Sequence, residues 1–323
     1  MSQLILTVTR ACNLRCSYCP TVKDGWPSLS DDDAARALRL FVDRFGGGDI
    51  KLFGGEPLLV PDVIAGVLAR AEALPGIRRV YLSTNGLGLT SEWIARLRAH
   101  RKVILTLSMD GAPKDHRRMR RALPGVVDAY DHVVSLLPEL LTLPRLVVTQ
   151  TVAPATARNA AANFEHLLGL GFRRFNLLPG YYIPWKPEQL AALTLGFRAI
   201  GDRFERAWAA GDRLYLRNLF TRAPTPFFNT GMVVDADRSI HPSNVGLSGS
   251  LDETLGRTKV GDLDTPPSPE ALARASAAMP ALLREVVPPD VWDATLAVDA
   301  ELTALCERLL PLWLASRRQR RSA

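Results

Sequence analysis

At 323 residues the chain can hold one large or two ordinary domains, and a 47% hydrophobic content is enough for a substantial core. No apolar run approaches a membrane span, no signal peptide opens the chain, and four cysteines give no disulfide framework, so a globular, cytoplasmic protein is expected. The net charge of +7 does not point to nucleic acid, because only six of the forty basic residues are Lys and the single dense run, Arg317-Arg318-Gln319-Arg320-Arg321, reads as a solvated tail.

Leu4 to Thr9 is short, continuous and rich in branched residues, the pattern of a buried strand. It leads into Cys12, Cys16 and Cys19, three of the four cysteines within eight residues, with Tyr18 just before the last. Ser30 and Asp33 form a capping-box pattern ahead of Leu38, Phe41, Val42 and Phe45, and Gly46-Gly47-Gly48 ends that helix. The unit then recurs. Strands are expected at Ile50 to Phe53, Val80 to Ser83, Val103 to Ser108, Leu146 to Val152 and Phe175 to Leu178. Helices are expected at Val63 to Ala73, Ser91 to His100, Val126 to Leu137 and Ala157 to Leu170. Six strand-helix units predict a parallel sheet with right-handed crossovers, as an open doubly wound sheet or an incomplete barrel.

Past residue 183 a long helix is expected over Pro187 to Ala209, and Ala223-Pro224-Thr225-Pro226 breaks the chain. Met232-Val233-Val234, Asp235-Ala236-Asp237 and Ser239-Ile240-His241 read as a hairpin. Pro266-Pro267-Ser268-Pro269 is a linker or helix start, and helices over Pro269 to Val286 and Pro289 to Ser316 complete the chain.

Thiols three and four positions apart on one short loop can converge on one centre, and iron-sulfur clusters are the usual centres at such spacings. Three thiolates leave one iron of a four-iron cluster open to another ligand. A structural zinc site is the competing reading, but it wants a fourth Cys or His from a second knuckle, and Cys306 lies in an apolar helical pattern. Three further motifs end successive strands: Gly54-Gly55-Glu56-Pro57, Ser83-Thr84-Asn85-Gly86, and Ser108-Met109-Asp110-Gly111 followed by His116 and Arg120. Both α/β architectures place their sites at the C-terminal ends of strands.

The Cys-x3-Cys-x2-Cys spacing with these motifs in order resembles the radical S-adenosylmethionine (SAM) superfamily, most closely its SPASM-containing, peptide-modifying branch. The resemblance implies an α/β fold, a partial (β/α)6 TIM-like barrel over residues 1–183, followed by a mainly helical extension over 184–323. It implies two cofactors, one [4Fe-4S] cluster held by Cys12, Cys16 and Cys19, and SAM chelated to the open iron. An electron from the cluster then splits SAM into methionine and a 5′-deoxyadenosyl radical. By the same resemblance Tyr18 lies beside SAM, and Gly54, Gly55, Glu56 and Pro57 form the turn that meets its methionine amino group. Ser83 and Asn85 would contact the ribose, and Ser108 and Arg120 would hold the carboxylate; His116 is assigned a structural role.

The second half departs from that branch. Relatives carry auxiliary-cluster cysteines there, one just after a hairpin, whereas this chain has His241-Pro242-Ser243, and a hydroxyl replaces a thiolate poorly. One cluster per chain is therefore expected. The implied function is hydrogen abstraction from a substrate C-H bond, in maturation of a ribosomally made peptide or on a small metabolite such as a sugar or antibiotic precursor. An electron donor such as flavodoxin or ferredoxin is implied. With the first strand starting at Leu4, no N-terminal leader-binding domain is expected. A non-catalytic iron-sulfur scaffold or sensor is the alternative of another class, opposed by the intact Cys12, Cys16, Cys19, Glu56 and Arg120. Cys306 shares a helical face with Leu302, Leu305, Leu309 and Trp313, as a small core side chain would. It is also the one thiol left to return hydrogen to a substrate radical in an epimerisation.

Overall fold

The computed structural model describes residues 3–221, 230–244 and 253–322. In chain order its elements are β1 (Gln3–Thr9), β2 (Leu14–Cys16), α1 (Asp31–Phe45), β3 (Gly48–Gly54), α2 (Pro61–Ala73), β4 (Ile77–Thr84), α3 (Ser91–Ala99), β5 (Val103–Ser108), α4 (Pro113–Met119), β6 (Arg120–Ala122), α5 (Ala129–Ser135) and α6 (Leu137–Leu140). There follow β7 (Leu146–Val152), α7 (Ala160–Gly169), β8 (Arg174–Pro179), α8 (Pro187–Ala209), β9 (Tyr215–Leu216), β10 (Thr230–Val234), β11 (Ser239–Ser243), α9 (Glu253–Thr258), β12 (Gly261–Asp262), α10 (Pro269–Val286) and α11 (Pro289–Ser322). All six expected barrel strands form, as β1, β3, β4, β5, β7 and β8. The chain divides into two compact units, each with residues from both sides of position 183.

The first unit comprises residues 1–107, 120–146 and 223–287. In it β1, β3, β4 and β5 pair in parallel, with Leu4 beside Ile50, Leu52 beside Leu82, and Leu82 beside Leu105. These leucines and Ile50 are buried to 2% exposure or less, as expected of strands covered on both faces. Helix α1 opens on the expected capping box, with the Asp33 amide donating to Ser30 Oγ at 3.0 Å. The hairpin also forms. β10 extends the sheet in parallel on the free edge of β1, Ile5 beside Val233, and β11 returns antiparallel to it. Ser268 caps α10 through the Ala271 amide at 3.2 Å.

One expected helix is split. The Val126 to Leu137 pattern starts later, at the Asp128 cap, and breaks into α5 and α6 because Pro138 has no N–H to continue the ladder. Pro154 likewise opens a 3-10 turn over Pro154–Asn159, so α7 begins at Ala160.

The second unit comprises residues 108–119, 147–222 and 288–323. β7, β8 and β9 pair in parallel, and α8 packs on α11, whose Arg308 donates to Asp202 at 2.5 Å and Glu205 at 2.8 Å. The core includes Phe164, Phe175 and Phe204, with ring centroids 4.5 to 6.2 Å apart. Helix α11 runs on through the Arg-rich segment to Ser322, past the expected end at Ser316, and Arg317 and Arg318 in it are exposed. Arg, Gln and Ala are good helix formers, and the Arg317 guanidinium stacks 5.0 Å from the Trp313 ring. The break expected at Ala223-Pro224-Thr225-Pro226 lies outside the described residues. Among the described residues no helix is long and apolar enough to cross a membrane.

Candidate functional site

The cysteine loop leaves the C-terminal end of β1 and is held at several points in the first unit. After Thr9 the chain turns out through Arg10 and Ala11, and β2 forms an antiparallel ladder with β6, setting Leu14 opposite Ala122 and Cys16 opposite Arg120. Nothing in the sequence announces this ladder, because three-residue strands carry no periodicity. It brings Arg120, nearly buried at 9% exposure, to the loop, with its guanidinium 5.5 Å from the Tyr18 ring. Cys12, Cys16 and Cys19 are all partly exposed.

The sulfurs already meet hydrogen-bond donors. Cys12 Sγ accepts from the Leu14 amide at 3.4 Å, and Cys19 Sγ accepts from Lys23 Nζ at 3.3 Å. Burial pushes the Cys12 thiol pKa up; the Leu14 bond opposes that, and the charges of Glu56 and Cys19 add to it. Among the described residues no three Cys, His, Asp or Glu side chains converge tightly enough for a single metal ion. A four-iron cube holds its cysteine sulfurs farther apart than one ion does. Three thiols on one short loop, with N–H donors beside two of them, fit that larger group.

The glycine pair ending β3 serves the loop directly. The Gly55 amide donates to Thr9 O and the Glu56 amide to Ala11 O, both at 2.8 Å. A Cβ at Gly54, where φ is +139°, would sit 2.0 Å from Thr9 O, and one at Gly55 would sit 2.1 Å from Ala11 O. The glycines therefore admit the root of the cysteine loop, where the motif had pointed to close approach of a ligand.

Glu56 is the hub, at 1% exposure. Its Oε1 accepts from Thr84 Oγ1 at 2.7 Å and the Leu58 amide at 3.0 Å, and its Oε2 accepts from the Asn85 amide at 2.8 Å. Burial raises its pKa against these three bonds and the charge of Arg120. Pro57, also buried, opens a 3-10 turn that Glu56 caps. Asn85 is occupied too: its Nδ2 donates to Asn13 Oδ1 at 2.7 Å, and its Oδ1 accepts from the Leu87 amide at 2.9 Å. Thus the ends of β3 and β4 and the cysteine loop form one hydrogen-bonded assembly. Asn13 and Thr84 in it were missed, although Thr84 lies inside the motif read from sequence. Ser83 is half-buried on β4.

Ser108 and Cys306 belong to the second unit. The residues after Ser108 are fixed locally, where the Asp110 amide donates to His116 Nδ1 at 3.3 Å and Asp110 Oδ1 accepts from the Thr151 amide at 3.2 Å. His116 is buried at 1% exposure. Cys306 lies at the edge of the α11 stripe, half-buried beside the fully buried Leu305 and Leu309. Its charge adds to the burial and Asp299 effects that raise the Tyr181 pKa, and Tyr181 donates to Asp299 Oδ1 at 2.9 Å.

Residues 6–142 match the family model of the radical SAM superfamily. Those residues carry a segment similar to the radical SAM superfamily. It is 43% identical over 89 residues to the GTP 3',8-cyclase of Stenotrophomonas maltophilia, a match covering 26% of each protein, so the chain spans about a quarter of that relative's length. In fold it is similar to native anSMEcpe with bound AdoMet, with a TM-score of 0.72 at 16% identity over 98% of this chain and 99% of that one. It is also similar to Streptococcus suis SuiB bound to precursor peptide SuiA, with a TM-score of 0.61 at 14% identity over 85% and 66%. The fold is accordingly α/β, with mainly parallel strands in each unit and a mainly helical C-terminal region, similar to those solved structures, and the superfamily cofactors are a [4Fe-4S] cluster and SAM.

Proposed function

We propose that this radical SAM protein is an enzyme that reductively cleaves SAM at one [4Fe-4S] cluster and abstracts hydrogen from a substrate C-H bond. The carrying observation is the assembly around Glu56, which ties the three-cysteine loop to the ends of β3 and β4 through Thr9, Ala11, Thr84 and Asn85. Loaded with its cofactors, such a site supplies a 5′-deoxyadenosyl radical. Cys12, Cys16 and Cys19 hold the cluster in this reading, and Tyr18 and Arg120 line the SAM position. The Arg120 fork, opposite Cys16, suits the SAM carboxylate, joined by Ser108 as the resemblance implies. Three of about four acceptor positions on Glu56 are filled from within the chain, so one at Oε2 is left for an ammonium group. Gly54, Gly55 and Pro57 shape that turn. Ser83 is the candidate ribose contact, with Asn85 acting mainly as a tether.

The substrate we propose is a ribosomally made peptide. Fold similarity to anSMEcpe, seen with bound Cp18Cys peptide, covers 98% of this chain, and that to SuiB, seen with precursor peptide SuiA, covers 85%. Cys306 is the candidate hydrogen donor for an epimerisation. The cyclase similarity favours a second reading, a nucleotide or other small metabolite, although it covers only about a quarter of the chain. Electrons would come from a flavodoxin- or ferredoxin-type donor.

Anaerobic reconstitution tests the cofactor reading. Reduced protein should give a cluster EPR signal that changes when SAM is added, and a signal indifferent to saturating SAM would overturn it. GTP serves as a probe of the second reading: stimulation of 5′-deoxyadenosine release by GTP would displace the peptide.

A further inference from the structure

Arg10 stands two residues before Cys12, and its side chain is fully buried at 0% exposure. Its Nε donates to Asp235 Oδ1 at 3.2 Å and its Nη2 donates to Asp235 Oδ2, a two-point pairing across 225 residues of sequence. Trp26 covers the guanidinium face, with its ring 3.5 Å away. Asp235 is 3% exposed and opens the β10–β11 turn. Its amide donates to Ser239 O at 2.9 Å and its Oδ1 accepts from the Ala236 amide at 2.7 Å, so the carboxylate is fixed before it meets Arg10. The parallel pairing of Leu6 with Val234 carries the turn to the end of β1.

The backbone on either side of Arg10 takes the other contact. Thr9 O and Ala11 O accept from the Gly55 and Glu56 amides. The root of the cysteine loop is thus gripped on its backbone by the Glu56 turn and on its Arg10 side chain by the hairpin. A planar, two-point ion pair in a dry setting fixes direction as well as distance.

We propose that Asp235 is a positioning residue of the cysteine loop: through Arg10 the C-terminal hairpin holds the loop root in register with the Glu56 turn. The chemical consequence rests on the reading of the loop as a cluster site; the mechanical one does not. In the branch this chain resembles, the hairpin leads to a cluster ligand. Here Ser243 stands at that place, and the same hairpin serves the first cluster from its other end.

The test uses the full chain without cofactor and again after reconstitution. Asp235→Asn leaves a buried cation short of its partner, so the paired apolar replacement Arg10→Met with Asp235→Leu is made beside it to keep a folded protein available. Hydrogen exchange at the Gly55 and Glu56 amides, and alkylation of Cys12, should quicken by about tenfold or more in the double variant, with the Leu52 and Leu82 amides unchanged. Arg36→Ala is the control. It removes bonds to Leu263 O and Asp264 near the hairpin without touching Arg10, and should leave both rates alone. After reconstitution the double variant should also show a broadened cluster EPR signal. A folded double variant with wild-type exchange and alkylation would overturn the proposal. Faster exchange in a protein whose wild type assembles no cluster would uphold the positioning role and remove the cofactor reading instead.

Discussion

Cys16 and Arg120 sit opposite each other in the short β2–β6 ladder, so the middle cysteine of the loop and a nearly buried guanidinium share one backbone pairing. The loop therefore carries a fixed cation beside its thiols. Arg120→Lys keeps the charge and loses the fork. With a charge-assisted bond worth about 1.5–3 kcal/mol, SAM should bind roughly ten- to a hundredfold more weakly while iron content stays at the wild-type value. Equilibrium dialysis with SAM and iron analysis check both halves, and equal loss of iron would make Arg120 a structural residue.

Glu56→Gln replaces an acceptor with an NH2 group in a pocket of donors. At least one of the bonds from Thr84, Leu58 and Asn85 must be lost, and the cofactor-free protein should be destabilised by about 1–3 kcal/mol. The pH dependence has a definite sign. Because burial raises the folded pKa of Glu56, its contribution is fully present below the ordinary carboxylate pKa and is lost as pH rises through the raised value. Denaturant titrations of wild type over that window should show stability falling with pH, and Glu56→Gln should flatten the fall.

The fold and the motif residues were legible for different reasons. β5 and β7 keep their expected bounds because unbroken runs such as Val103 to Ser108 and Leu146 to Val152 are buried on both faces. The helix over Pro187 to Ala209 was equally plain from its apolar spacing. Strand ends carrying Glu56 and Asn85 could be read as site residues, yet their immediate partners could not. Glu56 was read as a ligand contact and proves first to be an internal clamp. Arg10 with Asp235 was invisible, since a pairing over 225 residues leaves no local pattern, and β6 was hidden because Arg120-Arg121-Ala122 looks like helix or loop.

Gly55→Ala should break the attachment of the loop, since its Cβ would meet Ala11 O at 2.1 Å and Arg10 O at 2.3 Å. Backbone atoms on both sides cannot yield cheaply, so a loss of roughly 1–3 kcal/mol and impaired cluster assembly are expected. Gly25→Ala is the contrast. Gly25, unlike Gly55, has positive φ but open space around it, so only the backbone strain, about 1 kcal/mol, should appear, with assembly intact. Thermal unfolding and iron analysis of the two variants distinguish them; equal behaviour would deny Gly55 its special place.

Lys23 donates to Cys19 Sγ at 3.3 Å and to Thr21 O at 3.0 Å. A donor on a ligand sulfur stabilises the reduced, more negative cluster. Lys23→Met should lower the midpoint potential by roughly 40 mV if the bond favours the reduced form by about 1 kcal/mol. Redox titration followed by EPR reads the change, and an unaltered potential would mean that Lys23 leaves the sulfur once iron is bound.

Everything proposed for the chemistry depends on the loop of Cys12, Cys16 and Cys19 carrying the chain's one cluster and cleaving SAM there. The most direct test measures 5′-deoxyadenosine from anaerobically reconstituted protein, dithionite and SAM, with the Cys12→Ala, Cys16→Ala, Cys19→Ala triple variant alongside. About four irons per wild-type chain with steady 5′-deoxyadenosine formation are expected, and neither in the triple variant. Wild-type protein that holds its iron yet releases no 5′-deoxyadenosine, or a triple variant that keeps half the iron, would contradict it.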